Sequence, residues 1–235
     1  MNLIKNIWTK TDIDEFSLYL KSFSKGKEKG CWEKRILNTS LPCIAVPAPE
    51  IKRIAKDILK GNYCSFLDYM PWQNASEVAV CGNIICKIPD FAVMKKYLNI
   101  YSSRVDSWSA CDILKFKIKD FDQFFALSKE YVSSPLVYQR RISVIILFQF
   151  LSTNKYLPEI FNILNSFKKE TEYYVNMACA WLLAECFIKF RNETLHFLEQ
   201  NTLNDFIVNK GIQKCRDSFR VSDEDKDLLL KFKRN

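Results

Sequence analysis

No stretch of this chain alternates apolar and polar residues over the length of a β-strand; its apolar residues recur instead at helical spacing. Only 5 Gly and 7 Pro occur in 235 residues, which is sparse for a fold built on many tight turns. A hydrophobic content of 48% with 14% aromatic residues rules out a disordered chain and supplies a substantial core. An all-α protein is therefore expected.

Helix signals divide the chain as follows. Thr11 is expected to cap a first helix running to about Ser24, and Ser24 to Gly30 reads as a basic loop. Trp32 to Leu37 reads as a short helix. Pro47 and Pro49 stand where helix starts tolerate proline, ahead of Glu50 to Lys60, which Gly61 ends. Further helices are predicted over Tyr63 to Tyr69, Ser76 to Lys87 and Phe91 to Tyr101. Asp106 or Ser107 caps the next, which carries Trp108 and Asp112, and Asp120 caps Phe121 to Val132. The remainder are Leu136 to Leu151, Leu157 to Phe167, Glu172 to Phe190, Glu193 to Gln200, Leu203 to Phe219 and Glu224 to Phe232. Tyr138 to Ile142 lines up with Tyr174 to Ala178, and the same 36-residue shift places Ile145 on Trp181 and Leu147 on Leu183. Helix pairs repeating near this period suggest an α-solenoid of HEAT type with a curved, concave surface. No linker interrupts it, so a single domain over residues 1–235 is expected.

The formal charge is +8, which suits a polyanionic partner and equally suits plain solubility. Nine cysteines, mostly inside apolar helical runs and with no secretory signal at the start, fit a reduced cytoplasmic protein with buried free thiols. There is no CxxC, and His196 is the only histidine, which argues against a zinc site; no other cofactor is called for. No apolar run reaches membrane-spanning length.

Three segments contain residues that could do chemistry. Trp108 and Asp112, four apart, share one helix face and put a flat apolar surface beside a carboxylate. Asp112 is either a capping or salt-bridging residue or a carboxylate in a partly dry groove, where it would stabilise developing positive charge. Trp181 lies among Ala178, Ala180 and Ala184, so its indole projects past them into a neighbouring helix or over a groove. Arg140 and Arg141 sit in an apolar run and need anions: Asp112, Glu172, Glu185 or a ligand phosphate. A helix this apolar packs on most sides, so at least one arginine is expected to emerge at an edge, to clamp phosphate or to form a structural ion pair. Lys52, Arg53 and Lys56, Lys95 and Lys96, and Lys210, Lys214 and Arg216 are each a solvated helix face alone; on repeated helices they can line a surface that tracks a nucleic-acid backbone.

From about Trp32 onward the chain resembles the DNA alkylation repair proteins of the AlkD type, which are HEAT-like-repeat DNA glycosylases. The resemblance rests on Val46-Pro47-Ala48-Pro49-Glu50-Ile51-Lys52-Arg53-Ile54-Ala55-Lys56, on Asp106-Ser107-Trp108 with Asp112, on Gln139-Arg140-Arg141, on Tyr174 to Trp181, and on Ile212 to Arg216. It implies excision of N3- and N7-alkylpurines from duplex DNA, without a metal and without extrusion of the base into a pocket. By that resemblance Asp112 is the catalytic aspartate, Trp108 and Trp181 contact the lesion's deoxyribose, and Arg141 engages the backbone nearby. Tyr138 falls where some relatives carry another aromatic. Arg140, Lys52 and Lys214 complete the expected DNA contacts, made by a monomer that is nucleoid-associated when it acts.

The chemistry is coherent with that reading. An N3- or N7-alkylated purine is cationic, so its glycosidic bond is already weakened; what remains is to stabilise an oxocarbenium-like sugar and direct water to it. One carboxylate with electron-rich aromatic faces suits such a transition state. Two positions depart from the family pattern: Ser109 stands where relatives often carry an acid, and Ala184 where an arginine is common. The family also contains members that bind DNA, branched forms included, without demonstrated excision. Three readings therefore stand: an alkylpurine glycosylase, a catalytically silent DNA-binding protein, and a HEAT-like protein–protein scaffold.

Overall fold

A computed structural model describes residues 1–234, and among them there are fourteen α-helices, three short 3₁₀ turns and no strand. None of these helices is long and apolar enough to cross a membrane. The helices group into two compact units, the first spanning Met1–Lys119 and the second beginning at Asp120.

The first unit holds α1 (Lys10–Lys21), α2 (Lys27–Leu37), α3 (Ala48–Ile58), α4 (Tyr63–Tyr69), α5 (Ala75–Ile85), α6 (Phe91–Ser102) and α7 (Trp108–Asp112). The cap of α1 is Thr9 rather than Thr11: its hydroxyl takes the Asp12 N–H, and the Asp12 side chain reaches back to the Thr9 N–H, a reciprocal capping box. Much of the expected 24–30 loop is helical, because α2 begins at Lys27. Gly30 is there for contact rather than flexibility, since a Cβ at that position would stand 2.3 Å from the Cys43 carbonyl oxygen. Pro47 and Pro49 do open α3, and its face of Ile51, Ile54, Ala55 and Ile58 packs on α5, which in turn packs on α7.

The second unit holds α8 (Phe121–Val132), α9 (Val137–Leu147), α10 (Leu157–Asn165), α11 (Tyr173–Lys189), α12 (Arg191–Gln200), α13 (Asp205–Arg216) and α14 (Asp223–Leu229). Asp120 caps α8 as expected, with its side chain accepting from the Gln123 N–H. Helix α9 ends at Leu147, short of the expected Leu151, and a 3₁₀ turn over Phe148–Phe150 takes its place. The apolar α11 lies between α9 and α13. Its alanines serve that packing: at Gly211 of α13, an added Cβ would meet Leu183 at 2.8 Å and the Ala180 carbonyl at 3.4 Å.

Each unit thus contains a row of alternate helices, α3–α5–α7 in one and α9–α11–α13 in the other. This is the stacking that an α-solenoid of helix-pair repeats uses, and the 36-residue echo falls on it, since Val137 and Tyr173 open two successive members of a row. All nine cysteines are free thiols and six are buried; burial pushes Cys81 and Cys179 well above the usual thiol range, so they remain protonated packing residues.

Candidate functional site

Lys95 and Lys96 lie outside those two rows, on α6, whereas the residues expected to form the site lie on them. In the first unit these are Lys52 on α3 and Trp108 and Asp112 on α7; in the second they are Tyr138, Arg140 and Arg141 on α9, Trp181 on α11 and Lys214 on α13.

Helix α7 has only five residues, too few to hold itself, and Ser107 gives it no side-chain cap. Tertiary bonds hold it instead. Asp106, which can cap a helix by sequence, turns back and accepts from the Ser40 N–H at 2.7 Å, the Ser40 hydroxyl at 2.6 Å and the Thr39 hydroxyl. Burial works to raise the Asp106 pKa, but these hydrogen bonds outweigh it and keep the carboxyl below its ordinary value. The Tyr101 hydroxyl donates to the Ala110 carbonyl at 2.8 Å from a fully buried position, and Gly82 leaves room for it, since a Cβ there would stand 2.6 Å from the Tyr101 oxygen. Finally, the Trp108 indole N–H donates to the Ile36 carbonyl at 3.2 Å, capping an acceptor at the end of α2. Trp108 is therefore half-buried and fixed in orientation.

Asp112, half-buried, lines a cleft of about 810 Å³ within the first unit. The floor is apolar, built from Ala48, Ile51, Ala55, Ala79 and Ile113. The charged groups around it are Lys52, Lys56, Lys87 and Lys115 against two carboxylates, Asp112 and Glu33. One of those acids is diverted: Glu33 accepts the Ala45 N–H at 3.0 Å, and its burial raises its pKa against that bond. The structure thus brings Asp112 and Lys52 into one basic, apolar-floored cleft, and adds Lys56, Lys87 and Lys115, of which the last two carried no signal in the sequence. Arg53, the neighbour of Lys52, does not face the cleft's chemistry; it bonds Glu50 at 2.8 Å and the Tyr19 hydroxyl at 3.2 Å.

In the second unit the arginine pair behaves otherwise than expected. Arg140 takes the structural alternative. Its Nε donates to Glu170 at 2.7 Å and its Nη2 to the other oxygen at 3.2 Å, while Nη1 donates to the Ser134 and Pro135 carbonyls. Glu170 was not among the anions anticipated; it lies just before α11, where it also accepts the Thr171 and Glu172 N–H groups. Burial of Glu170 works to raise its pKa, and the Arg140 bonds overcome that and lower it. Arg141 is 5% exposed and donates to the Tyr174 carbonyl, tying α9 to the first turn of α11. The expectation that one of the two emerges at an edge is thus corrected: Arg141 is buried and the Arg140 side chain is 17% exposed. Both guanidiniums set the position of α11.

Trp181, 37% exposed, leans on Phe148 with ring centroids 4.3 Å apart. The alanines around it in sequence are buried, and the Ala180 and Ala184 carbonyls lie against α13. Tyr138 and Lys214 are half-exposed. Lys214 ends a stripe along α13, with Phe206 and Lys210 at four-residue intervals; Lys210 lies 6.0 Å from the Phe206 ring, and the exposed Tyr173 meets that ring edge-on at 5.8 Å.

Ala184 is 2% exposed and its carbonyl meets the Cys215 thiol, so a longer side chain at this position would have to be accommodated in packed surroundings. Ser109, the other departure, lines the Asp112 cleft. A family model described as DNA alkylation repair enzyme matches residues 20–215. No curated protein matches the chain.

Proposed function

The chain belongs to the DNA alkylation repair enzyme family, and on that premise we propose that it is a monofunctional DNA glycosylase acting on N3- and N7-alkylated purines in duplex DNA. The observation that carries this reading is the placement of Asp112 in a basic cleft with an apolar floor. Lysines at the rim suit a phosphate backbone, and the low-polarity floor strengthens the field of a single carboxylate on a nearby cation.

In the proposed reaction the bond between C1′ and N9 breaks and its electron pair stays with the purine. That pair discharges the cationic ring, so the base leaves without needing a proton. The sugar left behind is an oxocarbenium ion, which the Asp112 carboxylate stabilises. Water then adds to C1′ and gives up a proton, for which Asp112 is the acceptor. Trp108, held by the Ile36 carbonyl, and Trp181, with one face exposed, are each assigned to contact with the lesion's sugar. Lys52 and Lys214 are assigned to phosphates, and Tyr138 to a flanking contact. Arg140, paired with Glu170, and Arg141, which donates to the Tyr174 carbonyl, act in this reading by fixing α11.

The test is release of 7-methylguanine or 3-methyladenine from methylated duplex by the wild-type chain and by Asp112→Asn, with binding measured alongside. Release that the substitution largely abolishes supports a glycosylase. A silent DNA-binding protein would instead bind with salt-sensitive affinity, keep that affinity in Asp112→Asn, and release nothing.

A further inference from the structure

Helix α2 presents a partly exposed apolar stripe flanked by basic residues. Lys29, Trp32 and Ile36 follow at helical spacing on one face; Trp32 is 57% exposed and Ile36 45%. From Lys25 to Arg35 there are five basic residues (Lys25, Lys27, Lys29, Lys34 and Arg35) against two acids, Glu28 and Glu33. Among the described residues none of the five basic groups is in an ion pair, whereas Glu33 is turned inward onto the Ala45 N–H.

Beside Trp32 lies a hollow of about 570 Å³, bounded by Lys25, Glu28, Lys29, Glu33, Ala45 and Val46. Ala45 has φ = 51°, a left-handed backbone that costs a residue with a Cβ on the order of 1 kcal/mol. It is clamped from both sides, by Glu33 on its N–H and by the Lys25 N–H on its carbonyl at 3.3 Å. Glu33 and Val46 are also walls of the Asp112 cleft, so the two hollows adjoin.

We propose that this face of α2 is a second DNA-contact surface, in which Trp32 packs on the sugar and base edges of a strand while Lys25 and Lys29 neutralise its phosphates. It rests on the reading of the Asp112 cleft as a DNA site. A large exposed indole in a stretch where five unpaired basic groups outnumber two acids matches a polyanion with flat apolar edges better than it matches an apolar protein groove. The adjoining cleft lets one duplex reach both.

The experiment is fluorescence anisotropy of the full chain on an unmodified duplex over a series of salt concentrations. Four proteins are compared: wild type, Trp32→Ala, the pair Lys25→Ala with Lys29→Ala, and a control pair, Lys168→Ala with Lys169→Ala, both exposed in the second unit. Thermal melts check folding, and Trp32→Phe keeps an aromatic face if Trp32→Ala melts early. Trp32→Ala should weaken binding about 10-fold. The Lys25/Lys29 variant should lower the slope of log K against log salt by about 2. Wild-type binding with both patch variants indistinguishable from the control overturns this surface and leaves the cleft reading standing. No binding by the wild type at low salt overturns both.

Discussion

At the scale of single residues, Glu170 ties α9 to the entry of α11. It neutralises a largely buried guanidinium and accepts two backbone N–H groups at the entry to α11. Glu170→Ala leaves Arg140 charged and without its anion, which should cost about 3 kcal/mol in urea melts at pH 7. The pH dependence follows from the direction of its pKa. The folded value lies below the ordinary 4.5, so the stabilisation is complete above about pH 5 and is lost as the pH falls through the lowered folded value. The gap between wild type and variant should therefore narrow as melts are carried to more acidic pH below the ordinary carboxylate range; a gap that does not narrow contradicts the assignment. This pairing was not legible in the sequence. The need for an anion beside Arg140 and Arg141 was, because charge in an apolar run demands it, but Glu170 is thirty residues away and only the fold selects it over Glu172 and Glu185. Glu185 proves to pair with Arg220.

At the scale of elements, the sequence located helices best where an intrinsic signal ends them. Asp120 fixed the start of α8, and α4 falls on its expected bounds of Tyr63–Tyr69. It failed at α2, where Gly26, Gly30 and a run of lysines imitate a loop; Gly30 answers to the Cys43 carbonyl, a tertiary demand that composition cannot announce. Helix α7 was found, but its support was not. Because that support is tertiary, Tyr101→Phe, which deprives the buried Ala110 carbonyl of its donor, should cost about 1–2 kcal/mol and reduce base release. Unchanged stability and release would show that α7 stands without this bond. The α11–α13 seam yields the opposite kind of prediction. Ala184→Arg restores the residue common in relatives, yet it should destabilise the chain by about 2 kcal/mol or more, because the position is almost fully buried. A variant as stable as the wild type would reverse that reading.

For the whole molecule, an all-helical chain with the helix rows of a repeat protein was legible from periodicity, and the family from ordered motifs. A single domain remains our proposal for a chain whose described residues group into two compact units. The candidate residues divide between these units, with Lys52, Trp108 and Asp112 in the first and Tyr138, Arg140, Arg141, Trp181 and Lys214 in the second. Spacing in sequence could place each on a helix. It could not show that Arg140 and Arg141 turn inward or that Lys87 and Lys115 join Asp112, since both follow from how rows pack. The central claim concerns one carboxylate, so the most direct measurement is base release from methylated duplex by wild type and Asp112→Asn at matched DNA occupancy. We predict release of 7-methylguanine or 3-methyladenine by the wild type and a loss of at least about 100-fold in the variant. Wild-type protein that occupies the duplex and frees no base, or a variant that frees it at the wild-type rate, would contradict the claim.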